Sequence, residues 1–151
     1  MPEAAAPALP AAPAPPARFL AFDFGSRRVG VASGNTLTGQ ATPLRTVDAQ
    51  GDARWAAIAR LVQEWQPDAL VVGVPRHPDG APHEQTAAAQ RFGRQLAGRF
   101  RLSVHEVDER YTTTEARAGG ARDVDAAAAA VILEQHLRAL QGAAAEHHAA
   151  P

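Results

Sequence analysis

Three features of this sequence predict a three-layer α/β domain, a mixed five-stranded sheet with helices on both faces. An apolar run from Phe19 carries one carboxylate, Asp23, into its end, turns through Gly25, Ser26, Arg27 and Arg28, and resumes at Val29, as a β-hairpin does. Ala69 to Val74, ALVVGV, is continuously apolar and ends at Pro75, the pattern of a strand covered on both faces. Beyond the hairpin, strand and helix periods alternate, which sets later strands parallel with helical crossovers between them.

At 151 residues, 46% of them hydrophobic, the chain supports one domain around one core. Residues 1–17, MPEAAAPALPAAPAPPA, hold six of the twelve prolines and no basic residue, which predicts a disordered, partly polyproline-like leader before a folded part at 18–141. A third strand is expected within Gln40 to Val47, confined by Pro43 to a sheet edge. Asp48 or Asp52 can then cap a helix whose Trp55, Ile58, Val62 and Trp65 share a core-facing side, with Pro67 just past its end. After ALVVGV, the polar loop RHPDGAPHEQ leads to a second helix carrying Ala88, Phe92, Leu96 and Phe100. Leu102 to Val107 reads as a fifth strand running into Asp108, Glu109 and Arg110. A last helix begins near Asp125 and is expected to stop at Gly142, leaving 142–151 as a disordered tail.

Fifteen basic residues against 16 acidic ones leave a net charge of −1, so any polyanion has to be held locally and not by an overall basic field. Every basic residue is Arg, so each cationic contact can be bidentate. Cysteine is absent, which excludes disulfides and thiolate metal sites and is compatible with a reducing cytoplasm, the expected location. No run approaches the roughly 20 apolar residues that span a bilayer, so no membrane partner is expected.

Three acidic positions stand out because each lies where an apolar element begins or ends. Asp23 closes the first strand between phenylalanines, where a carboxylate is costly to bury without a cation. Arg27 or Arg28 can supply that cation, or a metal ion facing a phosphate that the arginines steer. Asp108 and Glu109 end the fifth strand, and ligands in parallel α/β sheets collect beyond the carboxyl ends of strands. An ion pair with Arg110 or another arginine suits one of these two acids. Asp125 shares a helical face with Ala128, Ala129 and Ile132 and so belongs to the core side. A capping or helix-dipole role is open to it as well, although Asp123 is available for that duty.

Four segments in this order, FDFGSRRVGVA, VVGVP, VDERYTTTEA and VDAAAAAVILEQHL, resemble the YqgF-type pre-16S rRNA nuclease family, the Holliday-junction-resolvase-like branch of the ribonuclease H fold. The resemblance implies a ribonuclease H-like fold and a metal-dependent nuclease acting in 5′-end maturation of pre-16S rRNA. On the matching positions it makes Asp23, Glu109 and Asp125 the catalytic, metal-binding acids. It also implies that Arg110, Thr112 and Thr113 line the same site and that Asp108 supports it. The chain departs from the family pattern at Ser33, Gly34 and Asn35, where an acid is usual, and in the short stretch between Thr114 and Asp125.

The residue types suit that chemistry. In-line phosphodiester hydrolysis uses a metal-activated water and a second cation on the leaving oxygen, and hard Mg²⁺ or Mn²⁺ prefers carboxylate oxygens. Two ions roughly 3.5 to 4 Å apart need a bridging carboxylate, and Asp23 on the central strand is the candidate. Arg27, Arg28 and Arg110 would hold phosphates bidentately while the Thr112 and Thr113 hydroxyls add neutral contacts. None of these reads a base, so substrate choice should rest on shape, and the RNA that the resemblance implies is read in shape through its backbone and 2′-hydroxyls. Branched DNA is the alternative; a monomer suffices for RNA, whereas a junction calls for a two-fold homodimer. Two further classes stay open. DFGSRRVG also resembles the first phosphate loop of actin-like and sugar-kinase ATPases, which need a second lobe. A non-catalytic nucleic-acid-binding module in transcription or ribosome assembly is the other, yet such a module gains nothing from like charges held together. Against the ATPase class, millimolar ATP should produce neither a heat of binding nor phosphate release, and saturable turnover would restore that class.

Overall fold

A strand that is apolar on both sides has to be covered on both, and β1 (Arg18–Asp23) accordingly takes the centre of the sheet. In the computed structural model of the chain, residues 17–77, 79–81, 84–109 and 123–149 are described, with side chains through 143. Residues 1–16 of the expected leader lie outside the described residues. β2 (Val29–Asn35) and β3 (Ala41–Val47) follow antiparallel on one side of β1, and β4 (Ala69–Val74) and β5 (Ser103–Asp108) follow parallel on the other. The order β3-β2-β1-β4-β5 is the mixed five-stranded sheet that the sequence predicts. Pro43 sits on the β3 edge opposite Ala32, where the ladder with β2 shifts register.

Helices α1 (Gly51–Trp65) and α2 (Thr86–Phe100) cover one face, and α3 (Val124–Ala149) covers the other. The first core gathers Leu20, Phe22, Ile58, Leu70, Phe92 and Leu96; the second gathers Phe19, Ala21, Val71, Ile132, Leu133 and Leu137. Alternate residues of β1 thus feed opposite cores, as the pleat requires.

Several helix details differ from the expectation. Neither Asp48 nor Asp52 caps α1: Gln50 occupies the extended N-cap position without a side-chain cap bond, and Asp52 lies in the first turn, where it meets the helix dipole. The buried residues of α1 are Arg54, Ile58 and Leu61. Trp65 is 39% exposed and lines a cavity together with Arg18. Trp55 does take a core place, stacked on Phe92 at 5.5 Å. Helix α3 runs through Gly142 to Ala149, since one glycine costs only about 1 kcal/mol against flanking strong helix formers. β5 takes in Asp108 as its last residue and does not end at Val107.

On the α3 face, the His136 ring stacks on His105 at 4.9 Å and meets Phe19 edge-on at 5.1 Å. The buried Nε2 of His136 has no hydrogen-bond partner among the described residues. Burial first, and then the charge of His105, holds the His136 pKa below its ordinary value. The unfolded chain therefore takes up this proton at a higher pH than the folded one. The stabilisation is complete above 6.5 and is lost as pH falls through that value toward the lower folded pKa. His136→Leu should flatten the decline in Tm on acidification from about pH 7 into that window; parallel Tm curves for variant and wild type would assign the decline to other groups.

Candidate active site at the carboxyl ends of the central strands

Asp23 is half-buried at the end of β1, on the side of Phe19 and Ala21 that α3 covers. Its register partner on β2 is Gly30. A Cβ on Gly30 would lie 1.8 Å from the Asp125 carbonyl oxygen and 2.8 Å from the Ala126 nitrogen. The first turn of α3 therefore rests directly on the backbone of β2, beside Asp23. Capping is done elsewhere. The Asp123 Oδ1 accepts the Ala126 amide at 3.2 Å and the Thr46 hydroxyl, and the Asp123 carbonyl accepts the Ala127 amide at 3.0 Å. The Asp125 carboxylate is left for the end of the sheet, where its Oδ2 lies 3.3 Å from Arg28 Nε.

Glu109 arrives from the other side. Along β5, His105 and Val107 face α3, whereas Val104 and Glu106 face α2. Asp108, paired with Val74, continues the alternation to the α2 side, away from Asp23. Glu109 returns to the α3 side and folds inward over β4: a Cβ on Gly73 would lie 2.9 Å from its Cγ and Cδ and 2.4 Å from Ile132 Cδ1. Phe22 pairs with Val72, so Gly73 is level with Asp23. Missing β-carbons on two neighbouring strands thus admit two acids to the end of β1.

The turn after Asp23 is held from α1. Gln50 Nε2 donates to the Arg27 carbonyl at 2.6 Å, and Arg54 Nη2 donates to the Ser26 carbonyl at 3.0 Å. Arg54 is only 7% exposed, donates Nε to the Ala49 carbonyl at 2.8 Å and lies 5.8 Å from the Phe24 ring centroid. Burial lowers its pKa, though a guanidinium stays charged at neutral pH. Arg27 and Arg28 are exposed. A cavity of about 490 Å³ opens beside them, lined by Arg28, Thr46, Asp48, Asp123, Val124 and Asp125. Arg54 and Thr46 are contributors that residue-by-residue reading of the sequence missed, whereas Asp123 takes the capping duty for which it was available. The only sequence signal for Arg54 is its place one turn before Ile58 on the buried side of α1.

Asp23, Glu109 and Asp125 therefore share one end and one side of the sheet. Among the described residues no three His, Asp or Glu side chains stand close enough to hold one metal ion together, and Asp125 is turned to Arg28. Arg110, Thr112 and Thr113 lie outside the described residues, as does residue 114–122 of the short stretch before α3. Ser33, Gly34 and Asn35, the departure from the family pattern, end β2 and enter a turn in which Asn35 Oδ1 accepts the Thr38 amide at 2.9 Å.

Over residues 17–139 the chain matches the family described as "RuvX: Holliday junction resolvase". It is 66% identical over 122 residues to a protein of Polaromonas sp. named "Putative pre-16S rRNA nuclease", covering 81% of this chain and 88% of that relative. A protein of Albidiferax ferrireducens with the same name is 64% identical over 122 residues, with 81% and 78% covered. Among solved structures, T. thermophilus RuvC in complex with a Holliday junction substrate superposes with a TM-score of 0.56 at 15% identity, covering 83% of this chain and 96% of that one. A further Thermus thermophilus RuvC structure gives 0.53 at 14% identity over the same shares, 83% and 96%. These likenesses show the expected ribonuclease H-like fold.

The close approach at Gly30 has a measurable consequence. Gly30→Ala should lose about 1 to 3 kcal/mol by overpacking backbone against backbone. Gly142→Ala, helical and with nothing within 4 Å of its added carbon, should gain up to about 1 kcal/mol. Equal urea midpoints for the two variants would refute the close approach.

Proposed function

The chain belongs to the family described as RuvX, Holliday junction resolvase, and from that premise we propose that it is a metal-dependent nuclease hydrolysing phosphodiester bonds in 5′-end maturation of pre-16S rRNA. The observation that supports the proposal is that Asp23, Glu109 and Asp125 come from three elements, across Gly30 and Gly73, to one end and one side of the sheet, although among the described residues no three acids yet stand close enough to hold one ion together. A cation drawn among such acids would offset their mutual repulsion. An all-carboxylate donor set suits Mg²⁺ or Mn²⁺. Asp23, Glu109 and Asp125 are the residues that would hold such ions, Asp125 being the one that now pairs with Arg28. The chemistry supplied at such a site would be activation of a water and stabilisation of the leaving oxygen.

The remaining roles fall to the chain's own cations and hydroxyls. Arg27 and Arg28 grip phosphates flanking the scissile bond, Arg110, Thr112 and Thr113 line the same site, and Asp108 supports it from the far side of β5. Because these contacts reach backbone and not base edges, RNA is recognised through its shape. The relatives' names favour an rRNA precursor, a substrate the protein would meet in the cytoplasm. Branched DNA is the second reading, favoured by the family description, and would call for a homodimer where RNA needs only a monomer.

End-mapped cleavage of a labelled rRNA precursor and a four-way DNA junction, each with Mg²⁺, Mn²⁺ and chelator, decides between the two. Chelator-resistant cleavage would overturn the metal-dependent mechanism. Asp23→Asn should abolish turnover while the protein stays folded, and near-normal rates would make Asp23 structural. Asp125→Asn should cut cleavage by orders of magnitude and shrink metal-induced stabilisation, yet change metal-free stability by less than about 1 kcal/mol, the scale of an exposed ion pair. A lower Tm in chelator with wild-type cleavage would mean that Asp125 serves the helix alone.

A further inference from the structure

We infer that Arg54 and Gln50 are positioning residues that hold the turn bearing Arg27 and Arg28 in the shape that grips a nucleic-acid backbone, an inference resting on the function proposed above. Arg54 is buried on α1 one turn from Ile58, with no carboxylate at ion-pairing distance among the described residues. A buried charge is unfavourable unless its donors are satisfied, and Met or Leu would fill the same space without that burden. What arginine adds is direction. Its planar fork reaches the Ala49 carbonyl at 2.8 Å, just ahead of α1, and the Ser26 carbonyl at 3.0 Å, in the turn.

Gln50 takes the next carbonyl along, that of Arg27, at 2.6 Å. Two consecutive carbonyls drawn toward α1 fix the peptide planes on both sides of Arg27. Gly25 closes the turn on itself, since a Cβ there would lie 2.6 Å from the Arg28 carbonyl oxygen. With the backbone held at three points, the side chains of Arg27 and Arg28 stay on the solvent side, and Arg28 reaches the Asp125 carboxylate at 3.3 Å. A turn already ordered loses less entropy when its arginines close on phosphate. Arg54 and Gln50 act through the turn and do not themselves contact the bound strand.

The test is the salt dependence of binding to a labelled single-stranded RNA in chelator, where cleavage does not intervene. The slope of log binding constant against log salt counts phosphate contacts, at about 0.7 per contact on a single strand. Arg54→Met and Gln50→Ala should each lower the slope as Arg27→Ala and Arg28→Ala do, and should speed amide exchange at residues 26–28. The informative comparison is non-additivity: Arg54→Met placed on Arg27→Ala/Arg28→Ala should lower the slope no further, because the contacts it organises are already gone. Arg54→Lys, which keeps the charge but lacks the fork, should behave like Arg54→Met. Unchanged slopes and exchange rates, or a slope loss fully additive with the double variant, would overturn the inference. If Arg54→Met fails to fold, Gln50→Ala at its exposed position decides the matter by the same two readouts. A wild-type protein that binds no RNA in chelator would count against the proposed function, and amide exchange in the turn would still decide whether the clamp exists.

Discussion

The contact on which the structure depends is backbone against backbone: the first turn of α3 lying on β2 at Gly30, where not even a methyl group fits. The same seam continues along the strand. Gly30, Ala32 and Gly34 alternate on the α3 side; Ala32 packs with Ala129 and Ala130, and a Cβ on Gly34 would lie 2.9 Å from Leu133 Cδ2. Small residues on both surfaces bring helix and sheet unusually close. The alanine run at the start of α3 is therefore a packing surface as well as a helix former. Its consequence is chemical, because it delivers the carboxylate of Asp125 to the strand end where Asp23 already stands.

Around that point the electrostatics oppose the packing. The chain carries almost no net charge, yet acids converge where β1 ends, and Asp48 and Asp123 line the adjoining cavity. Arg28, exposed, pairs with Asp125 and offsets part of this repulsion, a weak compensation in water. The stronger investment in charge is out of sight: Arg54 is buried to hold two carbonyls, one of them in the turn that presents Arg27 and Arg28. Stability comes from the two apolar cores, and the charged groups gather at the strand ends.

Periodicity made the hairpin, the buried strand and the helical crossovers legible, because each of those elements is stabilised by burial of its own regular face. Asp125 was legible as a core-side acid for the same reason, with Asp123 beside it free to cap. Several features were not legible. Trp65 has core spacing but lies exposed at a cavity at the end of α1, and Gly142 has the chemistry of a stop signal inside a helix that continues. Gln50 in the N-cap position displaced two aspartates with better capping propensity.

By itself the sequence determined the order and kind of the elements, the edge position of β3 and the candidates among its acids, since these follow from hydrophobic period, proline placement and side-chain chemistry. Only the tertiary structure decided which acids come to the same side of the sheet. Asp108 and Glu109 are adjacent in sequence, and strand alternation with the gap at Gly73 sends one to each side of the sheet. The pairing of Arg28 with Asp125 and the reach of Arg54 to Ser26 span 97 and 28 positions. Contacts at such separation leave no local period, because they are set by how close two elements can approach and not by the propensity of either.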